Sequence, residues 1–180
     1  DEVLAYVYWK EKGVPTSIVR LFNTVGPRQS SAYGMVIPRF IARALAGEPL
    51  QVHGSGEQSR CFLHVRYVVG VLPKLMEHPS AVGQVFNIGS QEEVTIEELA
   101  RRVIQLTSSS STIEYIPYDE AYEEGFEDMP RRVPDIQKIK ALIGFEPTLN
   151  LDQIIHSVVE SLGGTKRSAV PTGVAPVRAK

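Results

Sequence analysis

The stretch that most constrains this chain is residues 17–28, Ser-Ile-Val-Arg-Leu-Phe-Asn-Thr-Val-Gly-Pro-Arg. It opens as an apolar, β-branched run and closes in a polar loop ended by Gly26-Pro27. A buried strand that finishes on Asn-Thr carries polar side chains to the carboxyl edge of a sheet, where open α/β folds bind their ligands. Before it, Val3, Leu4, Val7 and Tyr8 lie on one face of a helix over 1–12. Acids stand at the start of that helix, Lys10 and Lys12 at its end, and Gly13 stops it. Helix, short turn and hydrophobic strand make the later half of a βαβ unit. The chain opens at Asp1, inside that helix, so we expect a fragment.

After the polar loop, Val36, Ile37, Phe40, Ile41, Ala44 and Leu45 mark an amphipathic helix stopped by Gly47. Strands are expected at 50–53 and 59–63, with Gly54-Ser55-Gly56 as a hairpin turn between them. The helical pattern over 65–77 contains Pro73, which costs roughly 3 kcal/mol inside a helix and predicts a bend or an early end. Further strands are expected at 84–88 and 112–116. Thr95 and Glu98 have the spacing of a reciprocal capping box, and helices follow over 96–104, 135–142 and 151–162. The acidic run 119–128 reads as a solvated loop or short helix, and 163–180 as a disordered tail.

Composition narrows the function classes. With 180 residues and 43% hydrophobic content the chain can bury a sizeable core. A net charge of −2 gives no electrostatic reason to expect nucleic acid or an anionic membrane as partner. No apolar run is long enough to span a bilayer. A lone cysteine, Cys61, has no partner for an internal disulfide, no Cys/His spacing suits a metal, and a cytoplasmic home is the expectation.

Three places hold candidate chemistry. Asn23, at a strand end, presents a donor and an acceptor to a crevice, or else hydrogen-bonds its own turn. Arg60 opens an apolar strand and needs an anion, either a diphosphate gripped by the planar guanidinium or the acidic run 119–128. The Arg131–Arg132 pair raises the same choice, and two arginine sites flanking one crevice favour phosphate. His53, His64, His78 and His156 are scattered, without metal-like spacing.

Five blocks in order resemble the NAD-dependent epimerase/dehydratase family of extended short-chain dehydrogenases/reductases that act on nucleotide sugars. They are Arg-Leu-Phe-Asn-Thr-Val-Gly-Pro-Arg (20–28), Gly-Met-Val-Ile-Pro-Arg-Phe (34–40), Ser-Arg-Cys-Phe-Leu-His-Val (59–65), Val-Phe-Asn-Ile-Gly-Ser (85–90) and Arg-Arg-Val-Pro-Asp (131–135). The resemblance implies an α/β fold: the end of a Rossmann-type parallel sheet over 1–28, then the smaller mixed α/β substrate-binding domain over 29–162. It implies a UDP-sugar as ligand and NAD as cofactor. By position, Asn23, Arg60 and Arg132 match residues on the diphosphate. Val36 matches a residue on the nucleotide, Gln51, Val52 and His53 the segment cradling uracil, and Leu21 and Phe22 residues near the nicotinamide.

The departures set further expectations. The family's Gly-rich loop and its catalytic Tyr-x-x-x-Lys fall upstream of Asp1, so the chain alone is expected to be inactive, hold NAD poorly, and contain no catalytic residue or metal site. Arg66 and Tyr67 stand where relatives usually carry Asp, which predicts the loss of a helix cap. Met35 stands where decarboxylases tend to carry Arg, which favours a UDP-glucose 4-epimerase-like parent over a UDP-glucuronate decarboxylase. A non-catalytic remnant is the third reading. The exposed face of the first helix and the open edge of the first strand predict a homo-oligomer or pairing with a missing amino-terminal half.

Overall fold

A computed structural model describes residues 1–30, 35–121 and 129–163. Gly34, most of the acidic run and the tail beyond Gly163 lie outside the described residues. The chain opens with α1 (Glu2–Lys12), capped at its end by Gly13. The central stretch becomes β1 (Ile18–Leu21) and, after a break at Phe22–Asn23, β2 (Thr24–Val25). Then come α2 (Val36–Ala46), β3 (Leu50–His53), β4 (Ser59–Cys61), β5 (Leu63–His64) and α3 (Val65–Glu77). The remainder is β6 (Val85–Ile88), β7 (Glu93–Thr95), α4 (Ile96–Leu106), β8 (Ile113–Ile116), α5 (Tyr118–Ala121), β9 (Arg131–Arg132), α6 (Gln137–Ile143) and α7 (Leu151–Ser161).

Pairing is mostly parallel and long-range. β1 lies against β6, β2 against β5 and β3 against β8, all parallel. β4 sits between antiparallel β7 and parallel β9. This is the α/β architecture expected. The Gly54–Gly56 turn corrects the hairpin expectation: β3 and β4 do not pair with each other but enter different sheets. The strand expected over 59–63 likewise divides at Phe62, where the chain leaves the β4 sheet and joins β2.

Two apolar cores hold the fold. One packs α2, α4 and α7 over β3, through Phe40, Ile41, Leu50, Leu99, Val103 and Ile155. The other packs α3 and α6 on β6, through Leu63, Val71, Leu75, Phe86 and Ile139. Truncating any one of these side chains to alanine costs about 2–5 kcal/mol. Their members interleave along the sequence: Leu63 to Phe145 serve the second core, while Val94 to Val103, from between them, serve the first. α1 contributes to neither. Val3 and Leu4 are 77% and 60% exposed. α1 is held by the Trp9 ring against Gly83, where a Cβ would come within 2.5 Å of it, and by Thr16 Oγ1 donating to the Ala5 carbonyl.

Helix ends bear on three local expectations. α3 runs unbroken through Pro73 to Glu77, which excludes the early end, one of the two alternatives. The carbonyl that Pro73 leaves without an N–H belongs to exposed Val69, where water can satisfy it. The cap expected to be lost at Arg66–Tyr67 is supplied two residues before Arg66, by His64 Nδ1 accepting the Arg66 N–H at 3.1 Å. Thr95 accepts the Glu98 N–H, but Glu98 turns its carboxylate to Arg102, so only half of the expected box forms. The reciprocal arrangement occurs instead at α7, between Asn150 and Gln153.

Candidate functional site

The site is built where β1 and β2 meet β5 and β4. Asn23 has φ +34°, in the left-handed region that Asn tolerates better than most residues. Its Nδ2 donates to the Cys61 carbonyl at 2.8 Å, and its own carbonyl accepts the Leu63 N–H. Asn23 therefore does not fold back on its own turn: it stitches the end of β1 to the crossing point at Phe62. A cavity of about 240 Å³ opens beside this stitch, lined in part by Asn23, Val36, His53, Arg60 and Phe62.

α2 and β3 form the far wall. Arg39, on α2, reaches His53 at the end of β3, with Nη1 and Nε2 3.3 Å apart. A guanidinium has no acceptor, so His53 Nε2 accepts and the ring is neutral with its proton on Nδ1. Burial, and then the Arg39 charge, hold the His53 pKa below its ordinary value. Gln58 Nε2 donates to the His53 carbonyl, fixing the turn that follows β3.

The near wall carries the arginines. Arg60 on β4 and Arg132 on β9 are register partners of adjacent parallel strands. Arg60 Nη1 donates to the carbonyls of Ser59 and Met129. The Arg132 guanidinium lies 5.3 Å over the Phe22 ring. Arg131, one residue away and so on the opposite face, is engaged by both oxygens of Glu93. Ser59 also donates to that carboxylate. Of the two expected arginine positions on β9, Arg132 is the one turned toward Phe22 and Arg60.

Residues named from the sequence thus fall into two groups. Asn23, Val36, His53 and Arg60 line the cavity together, while Arg132 and Phe22, outside its lining, stack on each other. Leu21 ends β1 half exposed, and Gly89 lets the chain after β6 close on it: a Cβ there would come within 2.9 Å of Phe22 Cβ and 2.6 Å of Pro134. The side chain of Gln51 is turned to Glu114 on β8, at 3.2 Å, and Val52 is fully buried in the first core. These two reach the cavity side only through the backbone of β3. Thr24, Gln29 and Arg39 also line the cavity and were not singled out by sequence. Their signal was position: Thr24 follows Asn23 directly, Gln29 stands in the polar loop after it, and Arg39 lies one helical turn on from Val36. Among the described residues no cluster of His, Cys, Asp or Glu could hold a metal, and no helix is long and apolar enough to cross a membrane.

Comparisons with known proteins bear on the family and the fold. The family model for GDP-mannose 4,6 dehydratase matches residues 1–158. The chain is 41% identical over 150 residues to a UDP-N-acetyl-alpha-D-glucosaminuronate decarboxylase of Bacillus cytotoxicus, an alignment covering 83% of this chain and 46% of that protein. Its fold superposes on UDP-glucose 4-epimerase of Thermotoga maritima, solved with UDP-glucose, at a TM-score of 0.80 and 29% identity, covering 90% of this chain and 50% of that one. It superposes on UDP-glucuronic acid 4-epimerase of Bacillus cereus, solved with UDP-glucuronic acid and NAD, at a TM-score of 0.79 and 26% identity, covering 90% and 49%. The chain spans less than half the length of the curated relative it matches. With matched residues reaching from α1 through most of α7 and the parallel-strand crevice in place, the chain belongs to the GDP-mannose 4,6 dehydratase family of NAD-dependent epimerase/dehydratases, the extended short-chain dehydrogenases/reductases.

Proposed function

We propose that the chain is the substrate-binding portion of an NAD-dependent enzyme acting on a UDP-sugar. The observation that carries this reading is Arg60 in the wall of a cavity that also holds Asn23, Val36 and His53, with Arg132 its register partner on the neighbouring strand. Two guanidinium groups on neighbouring strands suit the oxygens of a diphosphate. Asn23 joins them on the diphosphate, while Val36 and the segment Gln51, Val52 and His53 take the base. Leu21 and Phe22, at the carboxyl end of a parallel strand, offer an apolar edge that fits the nicotinamide side of NAD. NAD, when bound, accepts a hydride from the sugar. This chain's share is to orient the sugar nucleotide against that edge. Calorimetric titration of UDP into the chain tests the reading. Saturable binding that weakens in Arg60→Ala and Arg132→Ala supports it, and absence of heat at millimolar UDP with the chain folded refutes it.

For the reaction we propose epimerisation of a UDP-hexose, on the ground that Met35 borders the cavity where the resemblance places Arg in decarboxylases. Decarboxylation of a UDP-uronate is the second reading, favoured by the 41% identity to the Bacillus cytotoxicus decarboxylase. Joining the chain to the preceding segment of a relative and assaying UDP-glucose epimerisation against carbon dioxide release from UDP-glucuronate separates the two. Pro73 and Arg66–Tyr67 are the departures that would suggest a non-catalytic remnant, the third reading, and α3 forms with both in place.

A further inference from the structure

We propose that Gln29, together with Thr24, selects the ligand of this cavity by accepting a hydrogen bond from a neutral N–H or O–H. The proposal rests on the nucleotide-sugar reading above and adds a residue pair to it. Gln29 Nε2 donates to the Thr24 carbonyl at 3.0 Å. A carbonyl can only accept, so this bond fixes which end of the Gln29 amide is which. Gln29 Oε1 is then left buried, without a hydrogen-bond partner, in the wall of the cavity. Thr24 Oγ1, in the same wall, is buried and without a partner too.

Buried polar atoms without partners are costly and uncommon, and two of them in residues that line one cavity call for a common occupant, reached by a small turn of either side chain. An anionic group does not suit Gln29 Oε1, which has no proton to give. A neutral donor does, and a hydroxyl such as that of Thr24 can donate to or accept from the same ligand. The arginine edge takes the charged part of the ligand, and the Gln29–Thr24 wall takes an uncharged donor. In a UDP-sugar two groups have that chemistry: the imide N–H of the pyrimidine and a hydroxyl of the hexose.

The test is calorimetry of the full chain and of Gln29→Met with UDP, N3-methyl-UDP and UDP-glucose, with thermal unfolding to check the fold. The expected result is a loss of about three- to tenfold in affinity that depends on the donor. A loss with UDP that disappears with N3-methyl-UDP assigns the imide. A loss confined to UDP-glucose assigns a hexose hydroxyl. Equal loss for all three ligands, as from a misshapen cavity, overturns the proposal, as does no loss at all. If the unaltered chain binds none of the three, the nucleotide-sugar reading falls and takes this one with it. If it binds and Gln29→Met binds equally well, only this one falls. Should Gln29→Met fail to fold, Thr24→Val carries the same comparison.

Discussion

The hydroxyl of Tyr67 accepts the backbone N–H of Thr148 at 2.8 Å, joining α3 to a loop 81 residues later in the chain. The same oxygen accepts the Leu149 N–H at 2.9 Å, and lies 3.0 Å from Thr148 Oγ1. Burial alone pushes this phenol's pKa up, but the hydrogen bonds from Thr148, Arg66 and Leu149 outweigh it and hold the value below the ordinary one. The position where the family resemblance leads one to expect Asp thus holds another acceptor on a longer arm. Removing the oxygen in Tyr67→Phe leaves two backbone donors without their partner. We expect a loss of about 1–3 kcal/mol in chemical denaturation, with the cavity beside Asn23 unaffected.

Arg60, Arg131 and Arg132 differ in their engagements, and binding measurements should separate them. Arg131 is held by Glu93 in a mostly exposed, solvent-screened pair and faces away from Arg60. Arg131→Ala should leave UDP affinity within about twofold. Arg60→Ala and Arg132→Ala should each lower it by roughly ten- to a hundredfold, the range for a hydrogen bond to a charged group. Calorimetry at two salt concentrations checks this, since the loss should be larger at low salt.

Acidification should loosen the fold through two histidines. Burial first, and the nearby charge of Arg39 or Arg66 second, lower the pKa values of His53 and His64 from the ordinary 6.5. A lowered histidine pKa means that the unfolded chain binds protons more readily. The contribution to stability is therefore complete above about pH 6.5 and is lost as pH falls through the lower, folded-state values. For His64 the mechanism is direct, because Nδ1 must be unprotonated to accept the Arg66 N–H. Urea unfolding between pH 7.5 and 5 should show falling stability. His64→Asn, which keeps a capping acceptor that does not titrate, should flatten part of the slope.

Cys61 should be silent toward thiol reagents while the chain is folded. It is buried, and burial foremost, with Glu93 nearby, pushes its pKa up to about 11. The reactive thiolate is scarce at pH 8 under those conditions. A colorimetric thiol reagent should label the chain only in denaturant, and labelling within minutes of the native chain would contradict the burial.

Much of the element order was legible in the sequence, because periodic apolar runs such as Ile96, Leu99, Ala100 and Val103 reflect local geometry that one segment dictates for itself. What escaped depends on partners far away in the chain. β7 and β9 are two or three residues long and exist because β4 lies between them. The division at Phe62 follows from Asn23 bonding to both sides of it. In the site, Asn23 and the arginines stood out because polar groups beside apolar strands need a reason. Gln29 and Thr24 did not, since a glutamine in a polar loop is unremarkable until its buried oxygen lacks a partner. The caps at His64 and Asn150 escaped for a simpler cause: several acceptors at a helix start can take the same free N–H groups, and the backbone angles choose among them.

The interleaving of the two cores bears on how a chain like this can be cut and rejoined. A single joint placed at residue 28 leaves β1 on one side and its parallel neighbour β6 on the other. A joint anywhere from 94 to 103 interrupts a helix or strand of the first core while the second core still needs Ile136, Ile139 and Phe145 from beyond it. Recombination with a relative at one such point would thus mix parents within a core and not only between cores. The two layers must then diversify together, and swapping a sugar preference by exchanging one contiguous block would import foreign packing along with the new contacts.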